Sequence, residues 1–191
     1  SGELSLDGSV KPIRGAICLA QLVKSSDFDG LVVPYDNYQE ASMIDDICVY
    51  PIQHLKDIVE LFYSEQPYSF PSPIAFEEPS FDIDLADVKG QLQAKRALEI
   101  AAVGHHNVLF VGPPGSGKSM LMKRLPSLMP SLPISHAIES IKVRSLSRQL
   151  DFNQKFELRP IFRQPHHTIS YAGMVGGGRV PQPGEISLAH H

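Results

Sequence analysis

The sequence predicts an α/β protein of two unequal units, the second built around a phosphate-binding loop. Three observations carry this. Short apolar strand-like runs alternate with helical stretches. A tract containing Pro67, Pro71, Pro73 and Pro79 divides the chain. Finally, Val108-Leu109-Phe110-Val111 runs into Gly112–Ser119 and then Met120-Leu121-Met122, a strand–glycine loop–helix order.

The elements follow in order. Glu3–Leu6 and Ser9–Ile13 flank Asp7-Gly8 and read as a hairpin, because glycine accepts the positive φ of a tight turn. Ala16–Lys24 reads as helix, Leu31-Val32-Val33 as a buried strand stopped by Pro34, and Ile47–Tyr50 as a second strand. Leu55, Ile58, Val59 and Phe62 fall at i, i+3, i+4, i+7, the stripe of a core-facing helix. Residues 1–65 therefore form a small α/β unit, and 66–80 a linker or extended arm. The second unit, 81–191, begins with a helix over Gln91–Val103, whose face is Ala94, Ala97, Leu98 and Ala101. Asn107–Val111 is a strand within a parallel sheet, and Lys118–Leu125 a helix ended by Pro126. Ser140–Leu150 reads as strand or loop. Gly173–Gly184, rich in glycine and proline, reads as a loop or hairpin insertion.

The bulk properties set limits. A chain of 191 residues with 42% hydrophobic and 20% charged residues has the composition of a globular protein. No apolar run approaches the length of a membrane span, and no secretory leader is visible, so the expected place is the cytoplasm, with no membrane partner. Two cysteines, Cys18 and Cys48, do not make a disulfide framework. The net charge of −4 is unevenly spread. Residues 1–80 carry 4 basic and 13 acidic side chains, whereas residues 139–191 carry 7 basic and 4 acidic ones. Such segregation is compatible with a polyanion-facing region or with ordinary surface variation.

The chemistry resides in Gly112-Pro113-Pro114-Gly115-Ser116-Gly117-Lys118-Ser119, a G-x-x-x-x-G-K-S loop. Its glycines let consecutive N–H groups point into one concavity with no Cβ in the way. The following helix adds its unpaired N–H groups. Lys118 supplies a mobile point charge for β- and γ-phosphates and is the candidate catalytic residue. Ser119 offers a hydroxyl to Mg²⁺. ATP and Mg²⁺ are thus the expected cofactors. Hydrolysis further needs an acidic residue at a neighbouring strand end. No apolar run ending in Asp-Glu follows the loop, so the chain reads as cut short and, alone, as inactive in turnover. The histidine pairs His105-His106, His166-His167 and His190-His191 are expected to serve packing or loop hydrogen bonding. Neighbouring residues point differently and rarely share one metal ion.

The residues around the loop resemble a known family. Asp87-Val88-Lys89-Gly90-Gln91 resembles the segment that lies near the adenine in AAA+ ATPases. Gly104–Ser119, Arg163-Gln164-Pro165-His166-His167-Thr168, Gly176-Gly177-Gly178 and Pro183–His190 are similar to the magnesium-chelatase-like AAA+ proteins of the YifB/ComM group. In that family the last run leads straight into the Walker B strand. Residues 1–65, at Gly2-Glu3-Leu4, Gly8 and Pro12-Ile13-Arg14-Gly15, resemble part of a Lon-protease-like (S5-type) domain. The position of the Lon lysine is Ile17, and the serine-bearing segment is absent, so this unit is expected to be non-proteolytic.

The resemblance implies a ring-forming, typically hexameric ATPase that remodels DNA, a branch-migration or helicase-type motor linked to natural transformation. It also implies a pore-facing hairpin near His166–Gly184, with Arg159, Arg163 and Arg179 as candidate phosphate contacts. Two alternatives stay open: an ATPase subunit of a metal chelatase, and a nucleotide-binding scaffold without turnover.

Overall fold

The structure, a computed structural model, describes residues 1–63, 75–147 and 156–191. It is α/β, with short paired strands and helices packed on them. Strand β1 (Glu3–Leu4) pairs antiparallel with β2 (Val10–Lys11), Glu3 opposite Lys11, around the expected turn, where Gly8 has φ 86°. The Asp7 carboxylate accepts from Ser9 N–H at 3.0 Å and from Ser9 Oγ at 2.7 Å, which closes the turn. Helix α1 (Ala16–Lys24) has the predicted bounds and buries Ala16, Ile17, Ala20 and Val23.

Strand β3 (Leu31–Pro34) runs parallel to β4 (Val49–Ile52), Leu31 opposite Val49. Between them lies helix α2 (Tyr38–Ala41), the crossover that parallel strands require. The β4 strand lies two residues beyond its expected start, because Val49 and Pro51, not Ile47, carry the register to β3. Helix α3 (Lys56–Tyr63) forms where its periodicity predicts. Its apolar stripe is nevertheless not core-facing: Val59 is 58% and Phe62 73% exposed. Amphipathic spacing predicts the helix but not what covers its face.

The expected linker lies in part outside the described residues. Within the rest, β5 (Phe76–Glu77) pairs parallel with β6 (Phe156–Glu157). Leu158 N–H extends this ladder to Glu77 O at 2.9 Å. Helix α4 (Leu92–Gly104) buries Leu98, Ala101 and Ala102. Helix α5 (Lys118–Met122) is shorter than predicted, and a 3₁₀ turn over Leu125–Leu128 takes in Pro126.

Two expectations in this half are overturned. Asn107–Val111 carries no regular secondary structure and is not a sheet strand. Leu109 and Val111 are 86% and 87% exposed, and among the described residues no strand pairs with them, so the parallel sheet around the loop is not formed here. Ser140–Leu150, as far as it is described, is neither strand nor loop but the end of helix α6 (Ile134–Leu146). Its β-branched Ile138, Ile141 and Val143 imitate a strand. The buried set Ala137, Ser140, Ile141 and Ser145 falls at i, i+3, i+4, i+8 and belongs to a helix. The glycine-rich stretch is the expected hairpin. Helix α7 (Tyr171–Val175) leads into β7 (Gly176–Gly177), which pairs antiparallel with β8 (Gln182–Pro183), and α8 (Glu185–Leu188) follows.

Among the described residues, two apolar clusters organise the packing. The larger gathers α1, β3, α2 and β4 residues and also includes Ile141 of α6 and Phe156 of β6. The smaller holds Leu85, Val88, Leu98 and Leu121, with Phe110, Met122, Leu125 and Leu128 against it. The second cluster fixes the phosphate-binding loop.

Candidate nucleotide-binding site

Residues 112–117 form a loop, exposed over 112–115 and half-buried at Ser116 and Gly117, that runs into Lys118 and Ser119, the first residues of α5. Gly115 and Gly117 have φ of 79° and 85°, a region that side chains rarely enter. A Cβ on Gly115 would meet nothing within 4 Å, so the backbone there faces open space and a ligand can approach it closely. The Ser116 N–H donates to Pro113 O at 3.3 Å, tightening the loop. Leu121 N–H reaches back to Gly117 O at 3.0 Å, and the N–H groups that lead the helix have no intrahelical partner.

Lys118 folds back over the loop. Its Nζ donates to Gly112 O at 2.8 Å, to Pro113 O at 2.7 Å and to Ser116 Oγ at 3.2 Å. The ammonium therefore sits on the loop's own carbonyls, within reach of any anion that enters the concavity. Ser119, the candidate metal ligand, is exposed at the start of the helix. The donor set suits a nucleotide polyphosphate: exposed backbone amides, one mobile cation and a hydroxyl placed as a hard-cation ligand.

The site has a support that the sequence does not disclose. Arg124, just past α5, donates from Nε to Asp84 O at 2.7 Å and from Nη1 to Met120 O at 3.0 Å. Its Nη2 lies 3.4 Å from Asp87 Oδ2. Asp84 and Asp87 cap the turn over 85–87 reciprocally. The Asp87 carboxyl is held below the usual range by the Asp84 N–H and by Arg124. Arg124 thus ties the helix of the loop to the 84–91 segment, while Leu121 packs with Leu85 and Val88 beneath. Nothing in the spacing of Arg124 announces this, because its partners lie about 40 residues upstream.

The candidate polyanion contacts divide. Arg163 is engaged: its Nε and Nη2 donate to the two carboxylate oxygens of Glu185 at 2.7 and 2.6 Å. A bidentate pair of this kind uses the fork that a phosphate would need, so Arg163 serves structure here. Arg159 pairs with Glu157 at 3.2 Å. Arg179, between β7 and β8, is exposed. Arg144 of α6 escaped the sequence reading. It lines a cleft of about 780 Å³ together with Lys123, Arg159 and Arg163. Burial, then Arg163 and Arg159, push its pKa down, and among the described residues no carboxylate pairs with it. His166 bonds Thr168 Oγ1 at 2.7 Å, a loop role as expected. The terminal pair also serves polar packing, but its side chains do not diverge as neighbouring residues were expected to. His190 and His191 both turn to Glu139, at 3.3 and 2.9 Å. The left-handed backbone at His191, φ 59°, cancels the usual divergence of adjacent side chains.

The chain is an α/β protein that carries a G-x-x-x-x-G-K-S loop, and comparison with known proteins gives the family. Residues 84–191 match the family described as magnesium chelatase, subunit ChlI. The chain is 40% identical over 191 residues to the uncharacterized protein YifB of Escherichia coli, and 41% identical over 193 residues to competence protein ComM of Haemophilus influenzae. It is also 40% identical over 190 residues to an uncharacterized protein of Mycobacterium tuberculosis. These matches cover 98–100% of the chain but only 37–38% of each relative. The chain belongs to the magnesium-chelatase-like AAA+ ATPase family that includes YifB and ComM.

Proposed function

We propose that residues 112–119 bind ATP or ADP with Mg²⁺, and that the chain is the nucleotide-binding part of a ring-forming AAA+ motor that remodels DNA in the bacterial cytoplasm. The observation that carries the nucleotide reading is the Lys118 ammonium, held over the glycine loop by Gly112 O, Pro113 O and Ser116 Oγ. A polyphosphate entering the loop exchanges these neutral acceptors for charged ones, which form stronger hydrogen bonds. The bound nucleotide supplies the phosphoanhydride whose cleavage drives a motor. The residues of this chain orient it: Lys118 holds the outer phosphates, the loop amides line them, and Ser119 would hold the Mg²⁺.

The DNA reading draws on the family resemblance, on the basic balance of residues 139–191, on exposed Arg179 and on Arg144, which has no carboxylate partner among the described residues. Residues 1–65 act as a non-proteolytic module in this reading. The Ile17 side chain has no group that can take up or release a proton, and it is fully buried. A second reading, the ATPase subunit of a metal chelatase, rests on the name of the matching family. The two differ in whether DNA or a tetrapyrrole-metal complex stimulates hydrolysis.

The nucleotide assignment is tested by calorimetry of this chain with Mg²⁺·ATP. Lys118→Ala should weaken binding by about 1.5–3 kcal/mol, the worth of a hydrogen bond to a charged group. Equal affinity of both proteins would overturn it.

A further inference from the structure

We infer that Glu139, His190 and His191 form a binding site for a divalent transition-metal ion of borderline softness, with zinc the type case. The ligand atoms are already gathered. His190 Nε2 and His191 Nε2 lie 3.3 and 2.9 Å from the same oxygen, Glu139 Oε2. One ligand atom from each of the three residues lies within 4.8 Å of the others. Zinc–nitrogen and zinc–oxygen bonds near 2.0–2.2 Å in a tetrahedron set ligand atoms roughly 3.3 Å apart. The two nitrogen–oxygen separations therefore stand near the edges of such a tetrahedron before any ion enters. Two imidazoles and one carboxylate form a donor set that zinc favours, and they leave a fourth position to water.

The surroundings hold these ligands in place. Glu139 sits on the thirteen-residue helix α6. The next residue of that helix, Ser140, is buried and donates from Oγ to His190 O at 2.7 Å, so the histidine backbone is anchored to the helix that carries the carboxylate. One turn earlier, His136 stacks on the His191 ring, with centroids 4.0 Å apart and planes 10° from parallel. Its position three residues before Glu139 puts both on one helix face. Glu139 and His190 are exposed, so an ion reaches them from solvent. An ion here would clip the segment after α8 to α6. The phosphate-binding loop contributes no ligand, so the site stands or falls independently of the nucleotide reading.

The test uses tag-free, metal-stripped protein carrying Lys118→Ala, titrated with ZnCl₂ by calorimetry and with CoCl₂ by visible absorption. One equivalent of Zn²⁺ and the intense visible bands of tetrahedral Co²⁺ are expected. Glu139→Gln, and separately the double variant His190→Asn/His191→Asn, should each weaken Zn²⁺ binding by at least about tenfold, since even outer-shell changes cost about that much. The double variants His105→Asn/His106→Asn and His166→Asn/His167→Asn should bind as the parent does. Circular dichroism checks that each variant folds. No stoichiometric uptake, or uptake that survives both site variants, or uptake lost with either control pair, would refute the site.

Discussion

Lys118 and Arg163 are both cations near a place where phosphate is expected, and they differ in what already holds them. Lys118 is bound by two carbonyls and a hydroxyl, neutral acceptors that an anion outcompetes. Arg163 is bound by both oxygens of a carboxylate. Arg179, on the hairpin, is exposed and is the candidate that the proposed nucleic-acid reading tests. In titrations with single-stranded DNA at several salt concentrations, Arg179→Ala should lower the log–log salt slope by about 0.7–0.9, the signature of one lost phosphate contact. An unchanged slope with unchanged affinity would remove Arg179 from the interface.

At the scale of elements, the Arg163–Glu185 pair joins the segment before the hairpin to helix α8 behind it. Both side chains are less than a third exposed, at 30% and 21%. The hydrogen bonds from Arg163 lower the Glu185 pKa below its ordinary value. A depressed carboxylate contributes stability that is present above its unfolded pKa, near 4.3, and is lost as pH falls through the lower folded one. Thermal unfolding followed from about pH 5 to pH 3 should show a loss in the parent that is smaller in Glu185→Gln. At neutral pH, Arg163→Ala should cost about 1.5–3 kcal/mol, because it leaves a partly buried carboxylate without its partner. If Glu185→Gln follows the parent profile throughout, the pair does not hold the hairpin.

For the whole molecule, the division at the proline-rich tract is not where packing divides. The larger apolar cluster combines α1, β3, α2 and β4 with Ile141 and Phe156. A polar network crosses the same seam. Buried Glu40 accepts from Ile17 N–H at 3.0 Å, from Asn37 Nδ2 at 3.2 Å, and from Ser145 Oγ of α6, while Ser145 Oγ itself accepts from Gly15 N–H at 2.8 Å. Glu40→Leu leaves buried donors on both sides of the seam without an acceptor, at about 1–3 kcal/mol each. Hydrogen exchange should then speed up in α1 and α6 together. Faster exchange confined to α1 would mean that residues 1–63 and α6 are separate cooperative units.

The sequence by itself determined what depends on neighbours along the chain. The Asp7-Gly8 turn, the bounds of α1, the glycine-rich hairpin and the phosphate-binding loop all follow from local backbone freedom and periodicity, which few contacts can override. Its motifs also carried the family, since those motifs are local. The tertiary structure decided what depends on partners distant in the chain. Ser140–Leu146 is helical because Ala137 and Ile141 find buried neighbours, and β-branched residues accept that geometry when packing favours it. Asn107–Val111 lacks a ladder because a strand is defined by the chain beside it. Arg163 became structural and Arg124 a support for the loop through Glu185 and Asp84, and His190 and His191 converged on Glu139. Side-chain pairing of this kind spans about 20–50 positions, a distance at which spacing in the sequence carries no geometric information.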